Sequence, residues 1–294
     1  MASEARRLPG NASGALFVDA SCIDCNTCRL IAPETYVEQD GQSVVRAQPV
    51  DAAARERAAR ALIACPTASI GVRAAGDPGW RAPLLAARTA FPEPVDAEVS
   101  FCGWTSADSY GAWSWLLTRP GGNVLIDSPR WSEPLAERIA ALGGVRWMFL
   151  THRDDVADHE RWAARFGAER VLHAADADST RGIERLLTGD DPVSLEPDLT
   201  VIPTPGHTRG HAVLLHADRH LFTGDHLAWD SADRRLIAFR SVCWYDWRAQ
   251  TDSMRRLLQH HFEWVLPGHG ERVHLPPDRM HTELEACVRW MEHA

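Results

Sequence analysis

The 294-residue sequence contains no apolar run long enough to span a bilayer, and its opening, MASEARRLPGNASG, has no apolar stretch of signal-peptide length. Both absences point to a cytoplasmic protein that does not enter the membrane. Lysine and arginine never gather into a long run and the formal net charge is −9, which argues against nucleic acid as the main partner, because phosphate binding needs a basic face. Tyrosine is scarce, three residues against twelve tryptophans; indoles in that number fit a core more readily than an aromatic-lined pocket. Short-period repeats and low-complexity tracts are missing as well. What remains is ordinary globular usage, 45% apolar and 24% charged, sufficient for a sizeable core and two domains.

Histidine is missing from the first half: none of the fourteen precedes His152, whereas four of the seven cysteines fall between Cys22 and Cys65. An odd cysteine count in a reducing compartment predicts metal ligands and free thiols before disulfides. Two kinds of metal chemistry therefore belong to two segments. In the first, residues 13–72, ALFVDAS reads as a short strand, ETYVEQDGQSVVRAQ as a hairpin turning at Asp40-Gly41, and Asp51 as the N-cap of a helix reaching Ala64, with a last short strand from Ser69 to Val72. Residues 73–98, rich in Ala, Pro, Gly and Arg, read as a linker or embracing segment. From 99 to 294 strands and helices alternate. Strands are expected in WSWLLTRP, NVLIDSP, VRWMFL, RVLHA, LTVIPTP, HAVLLHA, HLFTGD and FEWVLPG, and helices from Pro134 to Leu142, from His159 to Phe166 and around Ser253 to His260. The histidine motifs fall just after strand ends, where α/β folds carry ligand chemistry.

The cysteine motif is Cys22-Ile-Asp-Cys25-Asn-Thr-Cys28, with Cys65-Pro66 far downstream. Cysteines at every third residue can turn their thiolates inward, and a fourth closes the cage, the count a [4Fe–4S] cluster takes. Zinc also accepts four cysteines, but its sites usually present two separated pairs, not a triple and a single. The stretch resembles the single-cluster [4Fe–4S] ferredoxins over about sixty residues, through VDAS, CIDCNTC, APETY, the Asp-Gly hairpin and ACPTASI. That resemblance implies an α+β ferredoxin-like domain, electron transfer, and Cys22, Cys25, Cys28 and Cys65 as cluster ligands.

Four further motifs supply imidazoles and carboxylates: THRDDVADH at 151–159, TPGHTRGH at 204–211, TGDH at 223–226 and PGHG at 267–270. Such donors bind Zn²⁺ or Fe²⁺, and a carboxylate such as Asp225 can bridge two ions ~3.5–4 Å apart. His152, His207, Asp225 and His269 lead this set, Asp158 and His159 follow, and His211 and His226 read as groups that support ligands or face substrate. His173, His216, His220, His260, His261, His274, His281 and His293 read as surface or packing residues.

In order and spacing the motifs resemble the metallo-β-lactamase superfamily in its glyoxalase II-like branch, from about Val99 to Val273. The resemblance implies an αββα sandwich with a dinuclear site at one edge. His207, Asp225 and His269 match that family's later motifs residue by residue. The first motif, HxHxDH in the family, departs: Asp154 stands where the second histidine belongs, and Asp158-His159 come two residues late. Three arrangements stay open, with Asp154 as a ligand, with Asp155 in its place, or with one ion bound well and the other weakly. An oxygen donor makes iron or manganese more competitive with zinc.

The expected activity is metal-dependent hydrolysis of a small acyl compound, a thioester, lactone or relative, with Asp158 orienting water or moving a proton. The chain ends soon after His269, short of the helical extension by which glyoxalase II holds glutathione, so glutathione thioesters are the less expected members of that class. The alternative is a di-iron oxidoreductase receiving electrons from the fused ferredoxin, and a third reading makes the cluster a structural or redox-sensing element. A small-molecule substrate and a redox partner protein are the expected partners. The stretch 241–247, with Trp229 and Phe239, is either an apolar wall over the site or plain core.

Overall fold

The computed structural model describes residues 1–73 and 77–294. The chain packs as two units, Met1–Gly121 with Pro129–Gly144, and Gly122–Ser128 with Val145–Ala294.

In the first unit, β1 (Leu16–Val18) pairs antiparallel with β4 (Ile70–Val72), and β2 (Tyr36–Gln39) with β3 (Gln42–Val45). Asp40 and Gly41 turn that hairpin with φ of 54° and 74°, the two left-handed residues of the turn whose twist suits flanking strands. Helix α1 (Thr27–Ile31) follows the cysteine loop, and α2 (Ala52–Ala64) starts where the Asp51 carboxylate accepts the Ala54 N–H at 2.8 Å. Alanines 58, 59 and 61 let α2 lie close against Leu16, Tyr36, Val45 and Ile70.

The stretch expected to link or embrace is folded. It carries α3 (Arg81–Ala87) and β5 (Glu93–Pro94), and Trp80 joins the core of this unit; residues 74–76 of that expectation lie outside the described residues. Antiparallel pairing continues from β5 to β6 (Val99–Phe101) and on to β7 (Trp115–Leu117), and α4 (Glu133–Ala141) closes the unit.

The second unit holds two sets of strands. Parallel strands β8 (Val124–Ile126), β9 (Trp147–Phe149), β10 (Glu169–His173) and β11 (Arg185–Leu187) lie side by side. A six-stranded sheet runs in the order β12-β13-β14-β15-β18-β19, built from Val193–Glu196, Leu199–Pro203, Ala212–His216, His220–Gly224, Trp264–Pro267 and Val273–His274. It is antiparallel except where β15 meets β18. A short ribbon, β16 (Ala228–Asp230) with β17 (Arg235–Ile237), forms its own two-stranded sheet, and its Trp229 N–H donates to the Glu271 carbonyl at 2.9 Å just before β19.

Helix α5 spans His159–Phe166, as expected. The helix expected around Ser253 begins earlier, as α6 (Trp247–Leu257), because the Asp246 carboxylate caps it through the Ala249 N–H. Helix α7 (Pro277–His293) was not among the expected elements; Met280, Leu284, Cys287, Val288 and Met291 form its buried face, against a core of Val213, Leu221, Met254, Leu257 and Val265. No helix of the described residues is long and apolar enough to cross a membrane.

Candidate functional site

The ligand-type side chains of the second unit converge because they sit at one end of neighbouring strands. His152 follows β9, His207 follows β13, His211 precedes the antiparallel β14, Asp225 follows β15 and His269 follows β18. The Asp225 Oδ2 atom is the common point: it lies 3.9 Å from His152 Nε2, 3.6 Å from His207 Nε2 and 3.8 Å from His269 Nε2. His152, His207 and Asp225 form one group of ligating atoms within 4.8 Å of one another, and Asp155, Asp225 and His269 form a second. Asp225 is shared between them. Asp154 Oδ2 lies 3.9 Å from His152 Nε2 and 3.8 Å from His207 Nε2, so both consecutive carboxylates face the site, one on each side. Gly268 makes room for this crowding: a Cβ there would stand 2.9 Å from Asp155 Oδ2 and from Asp225 Oδ1.

Asp158 and His159 are in neither group. His159 opens α5, is buried, and turns its Nδ1 to within 3.2 Å of the Arg170 guanidinium, which is itself held by Glu184 at 2.6 Å. The two extra residues of the first motif thus carry the Asp-His pair onto the helix, and Asp155 stands with Asp225 and His269 instead.

Two aspartates that the motifs do not announce hold these loops. Asp127, just after β8, accepts both the Thr151 N–H at 2.8 Å and the Thr151 hydroxyl at 2.9 Å. With that hydroxyl proton committed, His152 Nδ1 donates to Thr151 Oγ1 at 3.0 Å, and its Nε2 lone pair faces the site. Asp176 accepts from Thr208 Oγ1 at 2.5 Å, from the Gly210 N–H at 2.7 Å and from the Arg153 N–H at 3.2 Å. It ties the loop carrying His207 to the loop carrying His152. His211 is held the same way as His152, with Nδ1 2.9 Å from Thr204 Oγ1. His211 and His226 stack behind the ligand set with ring centroids 5.2 Å apart.

Replacing Asp176 by alanine strands three donors, two of them buried and each worth ~1–3 kcal/mol when left unsatisfied. We expect a lowered melting temperature together with a metal affinity ~10–100-fold weaker, the usual cost of losing a group that orients ligands. Calorimetry and metal titration check this, and wild-type affinity in a well-folded Asp176→Ala would refute the tie.

The electrostatics suit a cation. Burial first, then the charges of Asp225, Asp127 and Asp154, push the Asp155 carboxyl well above its ordinary range. Burial pushes Asp127 up to about 8. For Asp225, burial acts upward but the imidazoles of His269, His152 and His207 overcome it and hold the carboxyl below its usual range. Burial lowers His152 to about 4 and His226 to about 3, so these rings are neutral near pH 7, the state in which imidazole binds metal. His152 Nε2, Asp155 Oδ2 and Asp225 Oδ1 are buried and have no hydrogen-bond partner. Unpaired lone pairs of nitrogen and oxygen aimed into one space are what one or two divalent ions require.

At the rim, Trp244 and Tyr245 both donate their backbone N–H to the His207 carbonyl, at 2.9 and 3.1 Å. Trp244 is 61% exposed and Tyr245 52%, whereas Trp229 and Trp247 pack against the core. The aromatic stretch is thus divided between rim and interior.

The first unit gathers the four cysteines. Asp24 and Asn26 take left-handed φ of 59° and 67°, which curls the loop before α1, and Arg29 pins it through Asp24 Oδ1, Asn26 Oδ1 and Ser43 Oγ. Cys22, Cys25, Cys28 and Cys65 line one pocket with Ser43, Pro66, Thr67 and Ser69. The Ser43 N–H points to Cys22 Sγ at 3.4 Å and Ser69 Oγ lies 3.3 Å from Cys65 Sγ. Burial raises the Cys25 thiol and drives Cys28 to about 12, so thiolates here need positive charge at the cavity centre.

Comparison with known proteins agrees with both halves. Residues 18–72 match the model of the 4Fe-4S single cluster domain of Ferredoxin I, and residues 100–287 match that of the metallo-β-lactamase superfamily. Among curated relatives, the hydroxyacylglutathione hydrolase of Acidiphilium cryptum is 34% identical over 125 residues, 41% of this chain and 50% of the relative. That of Rhodospirillum rubrum is 30% identical over 144 residues, 47% of this chain and 54% of the relative. The chain thus spans about half the length of the curated relatives it matches. Among solved structures, the DIM-1 metallo-β-lactamase superposes with a TM-score of 0.51 at 14% identity, covering 67% of this chain and 96% of that one. VMB-1 superposes with a TM-score of 0.51 at 13% identity, covering 68% and 95%. These two show the fold alone. With a family match over more than half of its length, the chain belongs to the metallo-β-lactamase superfamily.

Proposed function

We propose that the chain hydrolyses a small acyl compound, a thioester, lactone or relative, at the site centred on Asp225, and that its cysteine module carries or senses electrons. In this reading residues 13–72 are the [4Fe–4S] ferredoxin module and 99–294 the hydrolase. The observation that carries it is the position of Asp225 Oδ2, 3.6–3.9 Å from three imidazole Nε2 atoms. His152, His207 and Asp225, with Asp154, would hold one divalent ion, and Asp155, Asp225 and His269 a second. Ions held there supply Lewis acidity toward an acyl carbonyl and lower the pKa of water.

The chain's own residues do the rest. Asp127, through Thr151, keeps the His152 Nε2 lone pair turned inward, and Asp176 fixes the two ligand loops against each other. Asp154, with its side chain 46% exposed, is the most solvent-facing of these ligand groups, and the role of orienting water or moving a proton stays with Asp158. Trp244 and Tyr245 offer an apolar edge to the acyl group. The relatives' name, hydroxyacylglutathione hydrolase, supports thioester cleavage as the reaction class.

Chelator treatment followed by zinc, iron or manganese should remove and then restore turnover of a thioester panel, and His207→Ala should not be restored. Restored turnover in His207→Ala would place the chemistry elsewhere. Trp244→Ala should raise KM for bulky apolar acyl groups with kcat little changed, as loss of uniform binding does; an unchanged KM across the panel would remove Trp244 from the substrate path.

A second reading, a di-iron oxidoreductase fed by the cluster, draws support from two oxygen donors, Asp154 and Asp155, among the ligand-type groups. Iron favours such donors more than zinc does. Native protein carrying zinc alone in this site, by metal analysis and EPR, would end it.

A further inference from the structure

We propose that the cluster site is completed by the loop between β6 and β7, residues 102–114, and that Gly111 is the residue that lets this loop close on Cys25. The proposal rests on the reading of the four cysteines as cluster ligands. The loop lies beyond the ferredoxin-like stretch and inside the part of the chain that matches the metallo-β-lactamase model.

Three sets of contacts bring it to the cysteines. First, Gly111 faces Cys25 directly. A Cβ at this position would stand 2.6 Å from Cys25 Cβ, 2.9 Å from Cys25 Sγ and 3.3 Å from Pro66 Cγ, and the residue has φ of +87°. Any side chain would both clash and be strained, so only glycine serves. Second, Thr27, the residue before Cys28, donates its hydroxyl to the Gly111 carbonyl at 3.2 Å in a buried hydrogen bond. That proton is then unavailable to the Cys25 sulfur 3.6 Å away, so Thr27 serves to hold the loop. Third, the loop is anchored to the end of α2 beside the fourth cysteine. Thr105 Oγ1 donates to the Ala64 carbonyl at 2.6 Å. Arg130 donates to the carbonyls of Ile63 at 3.3 Å and Cys65 at 3.5 Å, and its backbone N–H donates to the Trp104 carbonyl at 2.8 Å. Within the loop, the Gly111 N–H donates to the Ser106 carbonyl at 2.8 Å.

The loop therefore lies against Cys25 and Pro66 and is clamped to the backbone carbonyls of Ile63, Ala64 and Cys65. Water and oxygen reach the cluster less easily beneath it. The reduced cluster bears more negative charge than the oxidised one, so excluding water also keeps its potential low.

The test uses the full chain, reconstituted anaerobically with iron and sulfide, as wild type, Gly111→Ala, Thr105→Val and Thr27→Val. Iron and sulfide per chain are measured before exposure to air, then the rate of bleaching in air and the midpoint potential. The wild type should hold four iron and four sulfide, as a [4Fe–4S] site does. The variants should bleach several-fold faster, with the midpoint moved to a more positive value, the mark of water reaching the sulfurs. A loop that only supports the fold would lower the melting temperature and leave the potential of the intact cluster unmoved. Should Gly111→Ala fail to fold, the two valine variants, close in shape to threonine, decide. Full cluster content with wild-type bleaching and potential in all folded variants overturns the proposal and leaves the cluster reading intact. A wild type that takes up a single zinc ion and no sulfide overturns the cluster reading itself, and the proposal with it.

Discussion

Asp225→Asn is expected to abolish thioester turnover, by at least ~100-fold, the upper end of what losing a group outside the ligand set costs. Asp225 is the carboxylate common to both groups of ligating atoms, and an amide carries no charge to set against a dication. The same change should erase the stabilisation that metal confers. A ligand present at ~1,000 times its dissociation constant adds about 4 kcal/mol to stability, so wild type should melt higher with metal than without it, and Asp225→Asn should not. Zinc or iron retained at wild-type stoichiometry in Asp225→Asn, with turnover intact, would show that Asp225 is not a shared ligand.

Cys65→Ala is expected to remove the visible absorbance and the acid-labile sulfide of the anaerobically prepared protein. Cys65 alone supplies the fourth sulfur from outside the CIDCNTC loop, and its neighbours Ser69 and Pro66 shape that side of the pocket. The Asp225 site draws on none of these residues, so metal bound there should survive the substitution. Thioester turnover that persists in Cys65→Ala would assign the cluster to sensing or electron carriage outside the hydrolytic step. Sulfide retained at four per chain in Cys65→Ala would contradict the ligand assignment.

Much of this was legible in the chain itself because the decisive groups carry local signals. The cysteines keep a fixed spacing and end in Cys-Pro, the hairpin turn is Asp-Gly, and Asp51 precedes an alanine-rich helix; each feature acts within a few residues of itself. His152, His207, Asp225 and His269 lie beside strand ends, which the apolar runs before them mark. The placement of Asp158 and His159 has a different origin. Their type suits a ligand, but two additional residues let α5 begin at His159 and turn its ring to Arg170, a partner set by tertiary packing. Asp127 and Asp176 are invisible for the same reason, since a buried aspartate that collects N–H and O–H donors from distant loops has no spacing signature. Helix α7 does carry one, apolar residues at 280, 284, 287, 288 and 291, with a proline at its first turn; its period is readable once the segment is taken as structured. Gly111 is legible only in three dimensions, where its bare α-carbon meets Cys25.

The most direct test of hydrolysis at Asp225 is turnover of a thioester and lactone panel by metal-loaded protein under anaerobic conditions, with no electron donor or acceptor present. We predict free acid and thiol, or ring-opened lactone, formed at the same rate whether the cluster is oxidised or reduced. No hydrolysis of any member of the panel, together with oxygen consumption or substrate oxidation that requires a reduced cluster, would contradict the account.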